Sequence, residues 1–283
     1  MIDLLTITNS PEQAAQCDRL AGMRIFVDLE RNGKAARQAG RNTFISTHQL
    51  DDVGRVRATV KTARLMVRVN PFDLKNAATS KAEIDEVIAQ GADLLMLPMF
   101  VNAAELAGFA DAVGGRLPFV PLLETAGALH SLEAWVDTPG IEEVFVGLND
   151  LHLSLGCSFM FEPLLQGHVD TVAAAARQRG LRFGFGGIAR MDEGLLPGRC
   201  ILAEHLRLGS QAVILSRTFN RMSGISGISD TGRGEASFED AVLELRKVES
   251  DLLHRSPEKV ESDRLKVAGL IRQQAAIYQK AVA

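Results

Sequence analysis

Leu117-Pro118-Phe119-Val120-Pro121-Leu122-Leu123-Glu124-Thr125 leads, through a helix-length segment ending at Trp135, into Glu142-Glu143-Val144-Phe145-Val146-Gly147-Leu148-Asn149-Asp150-Leu151. Each end of this stretch is a short, nearly unbroken apolar run followed by a carboxylate. A strand exposed on one face alternates apolar and polar residues. One that is apolar throughout is covered on both faces, as in parallel sheets flanked by helices. Working outward, the same texture recurs at Ile2–Thr8, Arg24–Leu29, Arg64–Val69, Asp93–Leu97, Arg182–Phe185 and Gln211–Leu215. With Leu117–Pro121 and Glu142–Val146 these make eight strands, separated by helical patterns. Ser10-Pro11-Glu12-Gln13 and Ser80-Lys81-Ala82-Glu83 read as capped helix starts. Eight such units predict a (β/α)8 TIM barrel, with a doubly wound open sheet as the alternative.

The 283 residues fit one barrel of ~250 residues plus an extension. Residues 1–222 are assigned to the barrel. Residues 223–235, Gly/Ser-rich, are assigned to a flexible loop, and 236–283 to a C-terminal helical arm. Ser237 opens a first arm helix with Phe238, Val242, Leu245, Val248 and Leu252 in a stripe; Leu265, Ala268, Ile271 and Ala275 mark a second. Those stripes pack either on their own barrel or on a neighbouring subunit, giving a homo-oligomer.

Composition narrows the class. Net charge is −4 and aromatics are 5%, so neither a basic face nor a stacking platform for nucleic acid is expected. The basic residues from Arg24 to Arg64 are interleaved with acids and read as solvated helix faces. No run reaches the ~18 apolar residues of a membrane span. The N-terminal residues lack a basic signal-peptide start, and Cys17, Cys157 and Cys200 form no motif and read as small hydrophobes. A cytoplasmic protein is the expectation.

In barrel enzymes the chemistry sits at the C-terminal ends of the strands. The residues placed there are Asp28 and Glu30, Arg68 and Asn70, Pro98 and Met99, Glu124, Asp150, Gly186 and Gly187, and Ser216 and Arg217. Glu124 and Asp150 end adjacent strands and can converge. Two oxygen ligands that leave positions open suit Mg2+ or Mn2+ better than zinc. The plainer reading makes each an N-cap of its following helix. Arg68 closes the run Leu65-Met66-Val67 and needs an anionic partner there. That partner is a substrate carboxylate, gripped by the planar guanidinium, or a neighbouring Asp28 or Glu30. Asn70 and Gly187 are expected beside the same substrate.

These residues resemble the HpcH/HpaI aldolase and citrate lyase beta-subunit family. The resemblance is carried by Val27-Asp28-Leu29-Glu30, Val67-Arg68-Val69-Asn70, Gly91-Ala92-Asp93-Leu94-Leu95-Met96-Leu97-Pro98-Met99, Leu123-Glu124-Thr125 and Gly147-Leu148-Asn149-Asp150-Leu151, in that order, and extends more weakly to Arg217. It implies a barrel with a divalent metal on Glu124 and Asp150, Arg68 on the substrate carboxylate, and C–C bond cleavage or formation through a metal-stabilised enolate. It also implies a helical arm exchanged between subunits. The sequence departs from the pattern at two places. Arg31 stands where the pyruvate-aldolase branch has a histidine and the citrate lyase branch a further acid, and Met99 stands where the latter often has lysine. His48 is a candidate for the missing histidine, and Lys34 for that branch's downstream lysine.

The expected activity is a metal-dependent carbon–carbon lyase or aldolase acting on a small 2-oxoacid of the pyruvate type. Arg68, His48 and Glu30 are its catalytic candidates. A CoA-thioester lyase, with Arg217 and Arg233 for the nucleotide, and a non-catalytic metabolite-binding barrel are the alternatives.

Overall fold

The computed structural model describes residues 1–33, 47–220 and 237–282. The Gly/Ser-rich segment 223–235, Lys34 and Arg233 lie outside the described residues. The elements run β1 (Asp3–Ile7), α1 (Pro11–Cys17), β2 (Met23–Asp28), α2 (Leu50–Arg57), β3 (Arg64–Arg68), α3 (Ala77–Ala89), β4 (Leu94–Leu97), α4 (Ala103–Val113) and β5 (Phe119–Leu123). They continue with α5 (Ala126–His130), α6 (Leu132–Trp135), β6 (Glu143–Val146), α7 (Leu148–Ser154), α8 (Glu162–Leu165), α9 (His168–Gln178), β7 (Arg182–Ile188), α10 (Gly198–Leu208) and β8 (Ala212–Leu215). Two further helices follow, α11 (Phe238–Leu253) and α12 (Pro257–Val282). Every strand pairs in parallel with its neighbour, and β8 returns to β1, so the sheet is closed. The open-sheet alternative is thereby excluded.

Alternation along the strands sorts side chains into two cores. Outward residues such as Ile25, Val27, Leu65 and Val67 pack beneath the helices. Inward residues Leu5, Phe26, Met66, Leu94, Met96, Val120, Leu122 and Phe145 fill the barrel. Phe145 fits because β7 offers Gly184 opposite it: a Cβ there would lie 2.6 Å from the ring.

The inward series on β2 is Arg24, Phe26, Asp28, and on β3 it is Arg64, Met66, Arg68. The barrel is therefore charged at both ends and apolar between. At the N-terminal end Arg24 meets both oxygens of fully buried Glu143 at 3.1 and 3.0 Å, and Arg182 joins Glu143 and Asp3 at 3.2 and 2.6 Å. Arg24 is thus a buried floor residue, not part of a solvated helix face. Sequence periodicity had grouped it with its basic neighbours, but strand alternation turns it inward.

Local corrections follow the same logic. The Ser10 start is borne out: its side chain accepts from the Gln13 amide at 3.2 Å. The Ser80 start is not, because α3 already begins at Ala77 and Glu83 reaches back to Asn70 instead of capping. The helix predicted over 125–135 breaks at Ser131 into α5 and α6. β5 runs on past Pro121 to Leu123, and β7 continues through Gly186 and Gly187 with a register shift after Gly184.

Ser237 caps α11 with Asp240 in a capping box. α11 and α12 lie against α10, and α12 also reaches α8, where Tyr278 stacks on Phe159 at 5.4 Å. Val242, Leu245, Ala268, Ile271 and Ala275 are buried there. The stripes are thus covered by the chain's own barrel, except that Leu265, expected inside, is 55% exposed. Among the described residues no helix is long and apolar enough to cross a membrane.

Candidate active site

The C-terminal ends of β2, β3 and β5 carry the second charged layer of the barrel. Asp28 and Arg68 are partners in the β2–β3 register. The Arg68 guanidinium donates to both Asp28 oxygens, Nε at 2.8 Å and Nη2 at 2.7 Å, and its Nη1 lies 3.4 Å from Glu30. Its face lies over the Phe26 ring, 5.6 Å from the centroid. Burial opposes the guanidinium's charge, but Asp28, Glu30 and Glu124 outweigh it and raise its pKa above the ordinary value. The ion-pair reading of Arg68 therefore holds in the structure.

Glu124 follows β5 and is buried, with 3% of its surface exposed. It does not cap α5; Thr125 does, through a bond from the Ala128 amide. Nor does Asp150 cap α7, whose N-cap is Gly147 and whose first turn contains Asp150. Both capping readings are corrected. Oε1 of Glu124 accepts the Met99 amide at 3.0 Å. Burial pushes the Glu124 carboxyl up, to about 8, and Glu30 and Asp150 push the same way against Arg68 and the Met99 amide. Arg68, Glu30 and Asp150 thus act on one buried group, and among these described side chains three carboxylates face one cation. Charge of that kind is expensive in a low-dielectric pocket unless a proton or a cation neutralises it.

Met99 has φ 58°, the left-handed conformation in a non-glycine residue, a strained arrangement of the kind that gathers at functional sites. The strain aims its N–H at Glu124. Gly147 completes the cradle: a Cβ there would lie 2.8 Å from Glu124 Oε2 and 3.0 Å from its Cβ. Sequence reasoning placed Met99 and Gly147 inside motifs but missed these roles. The available signals were Pro98, which shapes the turn out of β4, and a glycine directly after an apolar strand.

His48 is buried beside β2, its Nδ1 accepting the Asp28 amide at 3.1 Å. Glu30 is buried on the same strand end. Asn70 is occupied as a brace: its Oδ1 accepts the Arg31 and Asn32 amides at 2.9 and 3.0 Å, and its Nδ2 donates to Glu83 at 2.9 Å. Gly187 lies near the end of β7, beside Gly186, whose φ of 53° requires glycine. The structure brings Glu30, Arg68, Glu124 and Asp150 together, sets His48 against Asp28, and gives Asn70 to the neighbouring loop.

A hard divalent ion fits this donor set by charge and by atom type. Mg2+ keeps several waters and takes only one or two carboxylates from a protein. Among the described residues no group of three or more His, Cys, Asp or Glu side chains is arranged to hold a metal ion; the oxygen donors that could contribute to one here are Glu124 and Asp150.

No protein-family model and no curated protein matches the sequence. The structure does match solved ones. An HpcH/HpaI aldolase/citrate lyase family protein from Burkholderia cenocepacia superposes with TM-score 0.58 at 16% identity, covering 76% of this chain and 87% of that one. The fold is that of HpcH/HpaI aldolase/citrate lyase proteins. An HpcH/HpaI aldolase from Desulfitobacterium hafniense gives TM-score 0.56 at 16% identity over 76% of this chain and 86% of that one. The citrate synthase SbnG gives 0.55 at 13% identity over 76% and 86%. The HpcH/HpaI likeness noted in the sequence motifs is thus joined by a likeness of fold over 76% of the chain.

Proposed function

We propose that the protein is a divalent-metal-dependent carbon–carbon lyase or aldolase of the HpcH/HpaI type, acting on a small 2-oxoacid such as pyruvate. One observation carries the reading: Glu30, Arg68, Asp150 and the Met99 amide all bear on the buried Glu124 carboxyl at the mouth of the barrel. Glu124 and Asp150 would hold the ion. When bound, it would supply Lewis-acid stabilisation of negative charge developing on the 2-oxo oxygen.

The chain's own residues divide the remaining work. Arg68 faces the substrate carboxylate with the edge now near Glu30, while Asp28 fixes the other edge and so sets the plane of the fork. The Met99 amide holds Glu124 in one orientation. His48 carries its ring proton on Nε2, because Nδ1 accepts the Asp28 amide. His48 and Glu30 are the groups that move the proton at the carbon next to the carbonyl. The barrel packed beneath the site keeps bulk water from the far side.

Deuterium exchange into the methyl group of pyruvate, with and without Mg2+, tests the reading without knowledge of the second substrate. Mg2+-dependent exchange is expected, lost in Glu124→Gln and Asp150→Asn together with Mg2+ binding by calorimetry. Unchanged Mg2+ binding in both variants would overturn the site.

A metabolite-binding barrel without turnover is a second reading. It is favoured by the engagement of three Arg68 nitrogens with Asp28 and Glu30. Pyruvate binding without exchange is its signature.

A further inference from the structure

His48 belongs to a segment whose placement against β2 needs explanation, because it lies 17 positions beyond Arg31 in the chain (48 − 31). On its far side His48 is anchored by the start of α2, where the Gln49 amide donates to Asp52 Oδ2 at 2.7 Å in a capping box. On its near side the anchor is Arg31. The Arg31 guanidinium donates through Nη2 to the His48 carbonyl at 2.6 Å. That bond is partly buried, and a charged donor makes it stronger than a neutral one would.

Arg31 is itself held. Its amide and that of Asn32 both donate to Asn70 Oδ1, and Asn70 is tied in turn to Glu83 of α3 through its backbone N at 3.0 Å and Nδ2 at 2.9 Å. Force therefore passes from α3 through Asn70 to the Arg31 backbone, and through the guanidinium to His48. The imidazole meets a second fixed point, the Asp28 amide. Asp28 is the residue that grips Arg68, so the histidine ring and the guanidinium are registered to the same residue, one through its backbone amide and the other through its carboxylate.

We propose that Arg31 is a positioning residue that clasps His48 to the end of β2 and holds its imidazole in the Nε2–H tautomer beside the Asp28–Arg68 pair. The consequence for turnover rests on the preceding reading of His48 as a proton carrier; the clasp itself does not.

The test uses the full-length protein with 15N-labelled histidine, His48→Gln serving to assign the His48 signals. In the parent, Nδ1 of His48 should resonate as an unprotonated, hydrogen-bonded nitrogen. Arg31→Ala should move it to the averaged value of a mixture of tautomers, and Arg31→Lys, which retains a charged donor, should bring it back part of the way. Should Arg31→Ala fail to fold, Arg31→Gln is read in its place. In pyruvate exchange the same variant should lose about 100-fold in kcat with little change in KM, the scale of a misplaced catalytic group. A His48 signal unchanged by the loss of the guanidinium overturns the proposal, whatever the activity. A shifted signal in a protein that exchanges no deuterium keeps the clasp and removes the catalytic reading. Parent-like exchange with an unshifted signal does the reverse.

Discussion

Asp28 and Arg68 stand opposite each other at the upper ends of β2 and β3, and the guanidinium of one spans both carboxylate oxygens of the other. The pair is 14% exposed on the arginine side and 5% on the aspartate side, so it is shielded from most solvent screening. Removing one partner of such a pair leaves the other buried and unmatched. Arg68→Met should therefore cost about 3–5 kcal/mol in urea unfolding. Arg68→Lys keeps the charge and loses the fork. It should lower the melting point modestly and weaken pyruvate binding to the Mg2+-loaded protein about 10- to 150-fold. A destabilised Lys variant with parent affinity would remove Arg68 from the ligand site.

Gly147 offers a cleaner way to disturb Glu124. Its φ is −85°, open to any residue, so alanine brings no backbone strain. The added methyl would lie 2.8 Å from Glu124 Oε2 and force the carboxylate aside. Gly147→Ala should keep its circular dichroism and lose at least about 10-fold in Mg2+ affinity, within the range of an overpacking penalty. Calorimetric titration decides it.

His205 provides a pH prediction away from the site. It lies fully buried on α10, stacked on Phe185 at 3.8 Å, with Nδ1 against Ser210 Oγ at 2.8 Å. Burial depresses its pKa from 6.5 to about 3. In the unfolded chain the ring takes a proton below 6.5, while in the folded protein it resists. The unfolded state then binds more protons, so stability is retained above 6.5 and lost as pH falls toward 3. His205→Gln should flatten that loss by on the order of 3 kcal/mol between pH 7 and pH 4. Parallel slopes for parent and variant in urea melts across that range would show that His205 does not drive it.

The arm is predicted to contribute to stability through its covered face only. Leu245 is fully buried in the α11 contact with the barrel, whereas Leu243 is 59% exposed. Leu245→Ala should cost about 2–5 kcal/mol, and Leu243→Ala should stay within about 0.5 kcal/mol of the parent. Deleting residues 237–282 should uncover α10 and produce aggregation by light scattering. A soluble, stable deletion variant would show the barrel does not need the cover.

All eight strands were legible because a strand covered on both faces leaves an unmistakable apolar run. The ends were less so. The apolar run reads as ending at Pro121, yet β5 passes through it to the residue before Glu124. Gly186 and Gly187 read as the residues just past a strand ending at Phe185, although a bulge lets β7 include them. At the candidate site, Glu124 and Arg68 stood out by position, since charge at the end of an apolar strand is costly and needs a reason, and Asp150 by following the next strand. The Asp28–Arg68 register depended on inter-strand pairing, which periodicity does not encode. The Met99 amide and the Arg31–His48 bond involve backbone atoms, which every residue has and which a sequence cannot single out.

The buried floor of Arg24, Glu143, Arg182 and Asp3 has a kinetic consequence. With charged residues locked at one end and Phe26, Met66 and Phe145 packed above them, the interior offers no passage from floor to mouth. On the proposed function, a ligand at Glu124 would enter and leave by the mouth alone, so product departure and substrate arrival would take turns.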